Sequence, residues 1–308
     1  MSRTYCYACG GATSLRDLDV ALACGQRDFL VSVGTSTARH LRTLSGVRLV
    51  LDSAAWPLDN PKRPSFEAWY QELRGWRQAP DDYGKLRYAI AYDTIGNAAA
   101  SERRYADVMG KMVDRAVTDL PIVPVLQFPA APLGIGLDLL QSWAGQRDDM
   151  VDGGGFSDRP VYALGGLVPQ RGRAAAVAWV QAVADELEML IEDEGLEPEY
   201  LGIHVLGSTL QKYLTPLRRL GVPIWCDTST PAQHASTSDA SLRWGSTDRY
   251  GIPRDLLQRS RYARIAFWLC RERDRLGLPW TTPDLAWLEE LPDLTPIVRP
   301  QQHALFAA

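Results

Sequence analysis

Short apolar runs, many of them rich in β-branched residues, recur along the chain at 28–33 (DFLVSV), 47–52 (VRLVLD), 86–93 (LRYAIAYD), 122–127 (IVPVLQ), 161–166 (VYALGG), 201–207 (LGIHVLG) and 222–227 (VPIWCD). Each has the length and composition of a strand covered on both faces. An eighth candidate strand is 263–270 (ARIAFWLC), although the stretch around it, RSRYARIAFWLCRERDRLGL, reads equally as one long helix. Helical patterning fills the intervals, in SFEAWYQELRGW after Pro64, in SERRYADVMGKMVDRAV from Ser101, in the stretch ending at Gly195 and in TLQKYLTPLRRLG ending at Gly221. The third of these is the clearest: Val177, Val180, Val183, Leu187 and Leu190 recur at three- and four-residue steps, and acidic residues fill the other side.

Strands alternating with helices over this length, with no GxGxxG turn after any strand, predict an α/β fold of the (β/α)8 TIM-barrel type rather than an open doubly wound sheet. The expected organisation is one domain over 1–308, with an amino-terminal extension at 1–27, the barrel at 28–280 and a carboxyl-terminal tail at 281–308. The segments 129–160 and 228–249 are long and polar. In a barrel they would stand on the carboxyl-terminal rim as lids or substrate grips.

Polar residues close several of the apolar runs: Asp52, Asp93, Gln127 and Asp227. In a parallel barrel these ends share one rim, where the active sites of that architecture are built. A carboxylate at the end of a buried strand is costly unless it has a partner or a chemical task. Trp56, four residues beyond Asp52, offers a stacking surface, and Asp and Gln side chains can read the donors and acceptors of a flat purine edge. Gly165 and Gly166 follow a strand directly, where missing side chains admit a ligand to the backbone. Each residue also has a plainer reading: Asp93 as the cap of the next helix, Gly165-Gly166 as a turn, Trp56 as core packing. Their joint placement favours a site.

Composition narrows the partners. The chain is 46% hydrophobic and 23% charged, as expected of a globular protein, and its formal net charge is −4, which argues against holding nucleic acid by bulk electrostatics alone. No apolar stretch approaches a membrane span, and the amino terminus lacks the apolar core of a secretory signal, so no membrane partner and a cytoplasmic location are expected. The five cysteines are scattered and odd in number, which favours reduced thiols over a disulfide framework. Cys6 and Cys9 have the spacing of a zinc knuckle, with Cys24 and His40 as further candidate ligands of a structural zinc. The alternative is a set of small, partly buried thiols.

The residues at the strand ends resemble the tRNA-guanine transglycosylases, barrel enzymes that exchange guanine in nucleic acid for a 7-deazaguanine base. DSAAW at 52–56 is similar to that family's DSGGY, AYDTIGN to its FDE segment, and VPVLQFP to the strand that ends in a substrate-reading Gln. YALGGLVP is similar to YAVGGLAVGE, HVLGST to YLMGVG, and IWCDTSTPAQHA to FDCVLPTR, and the six matches run in order from residue 47 to about 235. The resemblance implies Asp227 as nucleophile and Asp52 as general acid and base. It implies Asp93, Gln127 and the backbone around Gly165 and Gly166 as readers of the base, with Trp56 and Leu206, followed by Gly207, enclosing the ring. No cofactor is implied for the chemistry.

The chain departs from the tRNA enzymes in two places. The close cysteine cluster with a downstream His is missing from the carboxyl-terminal part, where Cys270 stands alone, and the Arg-rich loop after the nucleophile is replaced by STPAQHASTSDAS. The resemblance is therefore nearer to the branch that inserts 7-deazaguanine bases, such as 7-cyano-7-deazaguanine, into DNA; tRNA is the alternative substrate. Arg171, Arg173 and the arginines of 254–275 are candidate phosphate contacts or, on the plainer reading, solvated helix faces. A homodimer is common in the family; the alternative to an enzyme is a non-catalytic partner subunit of the same barrel, against which the presence of both Asp52 and Asp227 speaks. An unrelated barrel enzyme would explain the rim carboxylates through a divalent metal, with His204 as a ligand or simply a satisfied core histidine.

Overall fold

The computed structural model describes residues 14–54, 63–77, 85–114, 122–129, 160–170, 172–195, 198, 201–229, 231, 235 and 248–291, together with the backbone of 4–9. Trp56, Arg171 and nearly all of the long segments 129–160 and 228–249 lie outside the described residues. The chain forms two compact units, residues 1–10 with 27–228, and 11–26 with 229–308.

The first unit is a parallel α/β fold. Its strands are β1 (Thr4–Cys9), β2 (Asp28–Ser32), β3 (Arg48–Asp52), β4 (Leu86–Ile90), β5 (Ile122–Val123), β6 (Val125–Gln127), β7 (Tyr162–Gly165), β8 (Ile203–Val205) and β9 (Ile224–Thr228). Every pairing between them is parallel, in the order β5-β4-β3-β2-β1-β9-β8-β7-β6. β8 and β9 are buried along their whole length, which is why they read in sequence as continuous apolar runs without alternation. Pro124, which has no N–H to give to a ladder, separates β5 from β6; its carbonyl accepts from Ala163 N–H at 2.8 Å. Side chains from six of the strands meet in one apolar cluster, Val50, Tyr88, Ile90, Val123, Val125, Ala163 and Trp225, with Leu30 and Leu206 packed against it.

Helices of this unit follow the strands: α2 (Ser36–Thr43), α3 (Phe66–Arg77), α4 (Ala98–Asp114), α5 (Ala174–Glu194) and α6 (Gln211–Arg219), α1 (Leu15–Ala23) belonging to the second unit. α5 buries Val180, Val183 and Leu187, as its periodicity predicts, and stops where Gly195 adopts φ 65°, the left-handed turn that ends many helices.

Two expectations about the strands are corrected. A strand the sequence reading did not include is β1, from within the stretch read as an amino-terminal extension; it pairs with β9 from Thr4↔Ile224 to Cys9↔Thr228 and with β2 at Cys9↔Phe29. The segment 263–270 is helical instead, inside α8 (Arg261–Arg275), which belongs to the second unit with α7 (Arg254–Arg259) and α9 (Leu285–Glu290). Ser260 caps α8 by accepting from Ala263 N–H at 3.2 Å. Arg261, Arg264, Glu272 and Arg273 are buried beside its apolar residues, so charged side chains on the covered side blur the apolar stripe that would mark the helix in sequence.

Three of the arginines proposed for phosphate contact are internal struts of that unit. Arg261 is buried against Asp17 of α1, Arg264 donates to the carbonyls of Ala235 and Leu257, and Arg273 donates to Gln26 and to the Pro279 carbonyl. Arg254, Arg259 and Arg271 are exposed, and so is Arg173 at the start of α5. Among the described residues no helix is long and apolar enough to cross a membrane.

Candidate active site

The carboxyl ends of β3, β6, β7 and β9 and the turns after β4 and β8 bring Asp52, Asp93, Gln127, Gly165, Gly207 and Asp227 together. Asp52 ends β3 beside Ser32 of β2, and Ser53 and Ala54 follow it into the turn. Ala54 holds φ 59°, a conformation that costs a residue with a Cβ about 1 kcal/mol. This twist lets the Ala54 backbone donate to Asp52. Burial pushes the Asp52 carboxyl up to about 7, the negative charges of Asp93 and Asp227 push the same way, and the Ala54 hydrogen bond and Arg63 oppose them.

Asp93 is buried with both carboxylate oxygens engaged. Ser53 Oγ donates to Oδ1 and Gln127 Nε2 to Oδ2, each at 2.5 Å. Burial raises its pKa, against the Ser53 hydrogen bond, the Arg63 charge and the Gln127 hydrogen bond, all of which favour the ionised form. Arg63 ties the two strand ends together by donating to the carbonyls of Ser53 and Asp93, with its guanidinium 4.1 Å from the centre of the Tyr92 ring. Asp93 does not cap the next helix. Asn97 does, accepting from Ala100 N–H at 3.0 Å.

Gln127 is fully buried, and its Oε1 accepts from Gly96 N–H at 3.4 Å, so the amide is gripped from both ends. The glycines after β7 make room for it. A Cβ on Gly165 would stand 2.7 Å from both Gln127 Nε2 and Val125 Cγ1, and one on Gly166, at φ 75°, 2.9 Å from the Phe128 carbonyl oxygen. The space left by the missing side chain at Gly165 is thus filled by Gln127. Gly165→Ala is expected to lower stability by about 1–3 kcal/mol through overpacking and to turn the Gln127 amide out of register. A shifted denaturation midpoint at unchanged denaturant slope would register the loss of stability.

Asp227, on β9 and 3% exposed, receives two donors on the same oxygen. Gly207 N–H reaches Oδ1 at 2.8 Å and His204 Nε2 reaches it at 2.9 Å. Gly207 sits at φ 68° in the turn after β8, and a Cβ there would lie 2.2 Å from Val168 Cγ2, so the turn that delivers this N–H admits only glycine. His204 Nδ1 is 2.7 Å from the Tyr88 hydroxyl, and both side chains are fully buried. The reading of His204 as a satisfied core histidine therefore describes it, with the added fact that one of its partners is Asp227.

Leu206 is partly buried, packed on the apolar cluster below the site. Sequence reasoning passed over Ser53, Arg63 and Tyr88, since each acts through partners at least ten positions away and no local pattern announces them.

The candidate zinc ligands are placed only in part. Cys6 and Cys9 lie on β1 with side chains outside the described residues, while Cys24 is buried and gives its thiol to the Ala266 carbonyl at 3.9 Å. Among the described residues no set of three His, Cys, Asp or Glu side chains is arranged to hold a metal ion.

The site as built holds a carboxyl that can carry a proton near neutrality, Asp52, beside a carboxylate anchored through Oδ1, Asp227, with a gripped Asp93–Gln127 pair alongside. This arrangement suits covalent displacement at an electrophilic carbon combined with proton transfer to a leaving group. The chain matches no protein-family model and no curated protein.

Proposed function

We propose that the protein is a guanine transglycosylase that exchanges guanine in DNA for a 7-deazaguanine base, working from the rim of a closed (β/α)8 barrel. Closure is supported by the Tyr88–His204 contact. β4 and β8 stand five places apart in the strand order, roughly 24 Å in a flat sheet, yet the two side chains approach to 2.7 Å. Counting β5 and β6 as one strand interrupted at Pro124 joins the two ends of that order and leaves eight strands.

The observation that carries the functional reading is the pairing of Asp52, raised to about 7, with Asp227, whose Oδ1 takes both His204 and Gly207. Among the described residues Asp227 Oδ2 has no hydrogen-bond partner, and it is the atom assigned to attack. A bond forms between Oδ2 and the sugar C1′ as the C1′–N9 bond breaks, and the electron pair left on guanine N9 takes the proton of Asp52. In the return step the incoming 7-deazaguanine gives its N9 proton to the Asp52 carboxylate and attacks C1′, which restores the Asp227 carboxylate. The reaction is thereby balanced with no cofactor. Asp93, Gln127 and the backbone around Gly165 and Gly166 are assigned to read the base edge, and a flipped nucleotide is required to reach them.

Incubation with radiolabelled guanine in separate DNA and tRNA reactions tests the reading, with Asp227→Asn as control. Label entering DNA alone is the expected result. Label entering tRNA alone would move the enzyme to the RNA branch, and label in neither polymer would favour a non-catalytic partner subunit.

A further inference from the structure

The Tyr88–His204–Asp227 chain links β4, β8 and β9 through three buried side chains, and its hydrogen positions follow from chemistry. A carboxylate can only accept, so the hydrogen between His204 and Asp227 belongs to Nε2. In the neutral ring Nδ1 is then an acceptor, to which the Tyr88 hydroxyl donates. The opposite tautomer would set the Nε2 lone pair against Asp227 Oδ1 at 2.9 Å, and would leave a buried repulsion where the hydrogen bond now stands.

We propose that Tyr88 and His204 are positioning residues for Asp227: the tyrosine hydroxyl selects the Nε2–H tautomer, and the imidazole, with Gly207 N–H, pins Oδ1 so that Oδ2 alone is presented to C1′. This inference rests on the reading of Asp227 as the nucleophile. A carboxylate has two equivalent oxygens and a soft terminal torsion, so an unpinned Asp227 would spend much of its time turned away from the reacting carbon. Two donors on one oxygen remove that freedom before substrate arrives. The same two donors complement the charge that the carboxylate carries between turnovers. Tyr88 and His204 are fully buried and are assigned no contact with the base, so their loss should act on the rate of bond formation and spare base affinity.

The test compares wild type, His204→Asn, His204→Gln and Tyr88→Phe in single-turnover formation of the glycosyl-enzyme, using guanine-containing DNA and RNA oligonucleotides, alongside equilibrium binding of free guanine. A glutamine places its amide nitrogen close to the position of imidazole Nε2, whereas an asparagine places it near Nδ1, out of reach of Asp227. The expected pattern is a fall of about 100-fold for His204→Asn and about tenfold for Tyr88→Phe, recovery of most of the rate in His204→Gln, and unchanged guanine affinity throughout. A merely structural role would lower the folded fraction and leave the rate per folded molecule untouched. Wild-type rates per folded molecule in Tyr88→Phe and His204→Asn would overturn the proposal, as would a His204→Gln rate no better than that of His204→Asn.

Should His204→Asn not fold, Tyr88→Phe and the nitrogen NMR shifts of His204 in the wild-type protein decide the matter. An Nε2–H tautomer is expected, and an Nδ1–H tautomer overturns the relay by itself. Absence of any glycosyl-enzyme in wild type, with the Nε2–H tautomer present, overturns the nucleophile assignment and the positioning role with it.

Discussion

Asp227→Asn is expected to abolish base exchange, by roughly 10³-fold or more, while the protein stays folded and still binds free guanine. The asymmetry follows from the two oxygens. Asparagine keeps an oxygen that can accept from His204 and Gly207, so the buried donors remain satisfied, but it replaces Oδ2 with an amide nitrogen that cannot attack carbon. The same substitution removes one of the negative charges that raise the pKa of Asp52, so Asp52 should titrate below its wild-type value of about 7. Trapping of the glycosyl-enzyme by denaturing gel, together with the Asp52 titration, checks both parts. Full exchange activity in the variant would remove Asp227 from the mechanism.

Asp52→Asn should separate activity from stability in opposite directions. Without a carboxyl to give and take the N9 proton, both half-reactions are expected to slow by about 10²–10⁴-fold. In wild type, guanine release needs protonated Asp52 and should decline as pH rises through about 7, whereas the return step needs ionised Asp52 and should rise through the same range. The stability effect has the reverse sign from that of a salt-bridged carboxylate. With its folded pKa above its ordinary value of 3.8, Asp52 holds its proton in the folded protein after the unfolded chain has lost it, so it destabilises the fold progressively between pH 3.8 and about 7. The full penalty above that range is on the order of 4 kcal/mol. The variant should therefore be several kcal/mol more stable than wild type at pH 8 and no different at pH 3, which denaturant titrations at the two pH values measure. Equal stability at pH 8 would mean that Asp52 has no raised pKa.

Seven of the strand segments were legible because a strand covered on both faces is apolar throughout, and VLQ, IWCD and RLVLD each end on the polar residue that marks the rim. The resemblance to transglycosylase motifs rests on those same ends, and the structure joins Gln127 to Asp93 by a hydrogen bond and sets Asp52 close enough to Asp93 and Asp227 for their charges to act on it. TYCYAC was not legible as a strand, because its polar and cysteine-rich pattern suits a zinc knuckle as well as a ladder. Its identity is conferred by β9 and β2, which lie on either side of it. The 261–275 helix was ambiguous for another reason: its run ARIAFWLC is apolar enough to pass for a strand, and charged residues such as Arg264 and Arg273 lie on its buried side.

The sequence by itself determined the alternation of strands and helices, the strand ends that carry carboxylates, and the positions of the glycines at 165, 166 and 207 at the ends of two of the apolar runs. Those properties are local, arising from burial period, from the polarity of a terminal residue and from the steric demand of one backbone. Only the tertiary structure decided which hydrogen bonds each acid receives. Gln127 and Ser53 take up Asp93, Tyr88 reaches His204 across 116 positions, and His204 meets Asp227, because folding brings distant strand ends to one place. The environment that raises Asp52 to about 7 is of the same kind: it sums burial and two neighbouring charges contributed by strands far apart in the chain, and no window of sequence contains them.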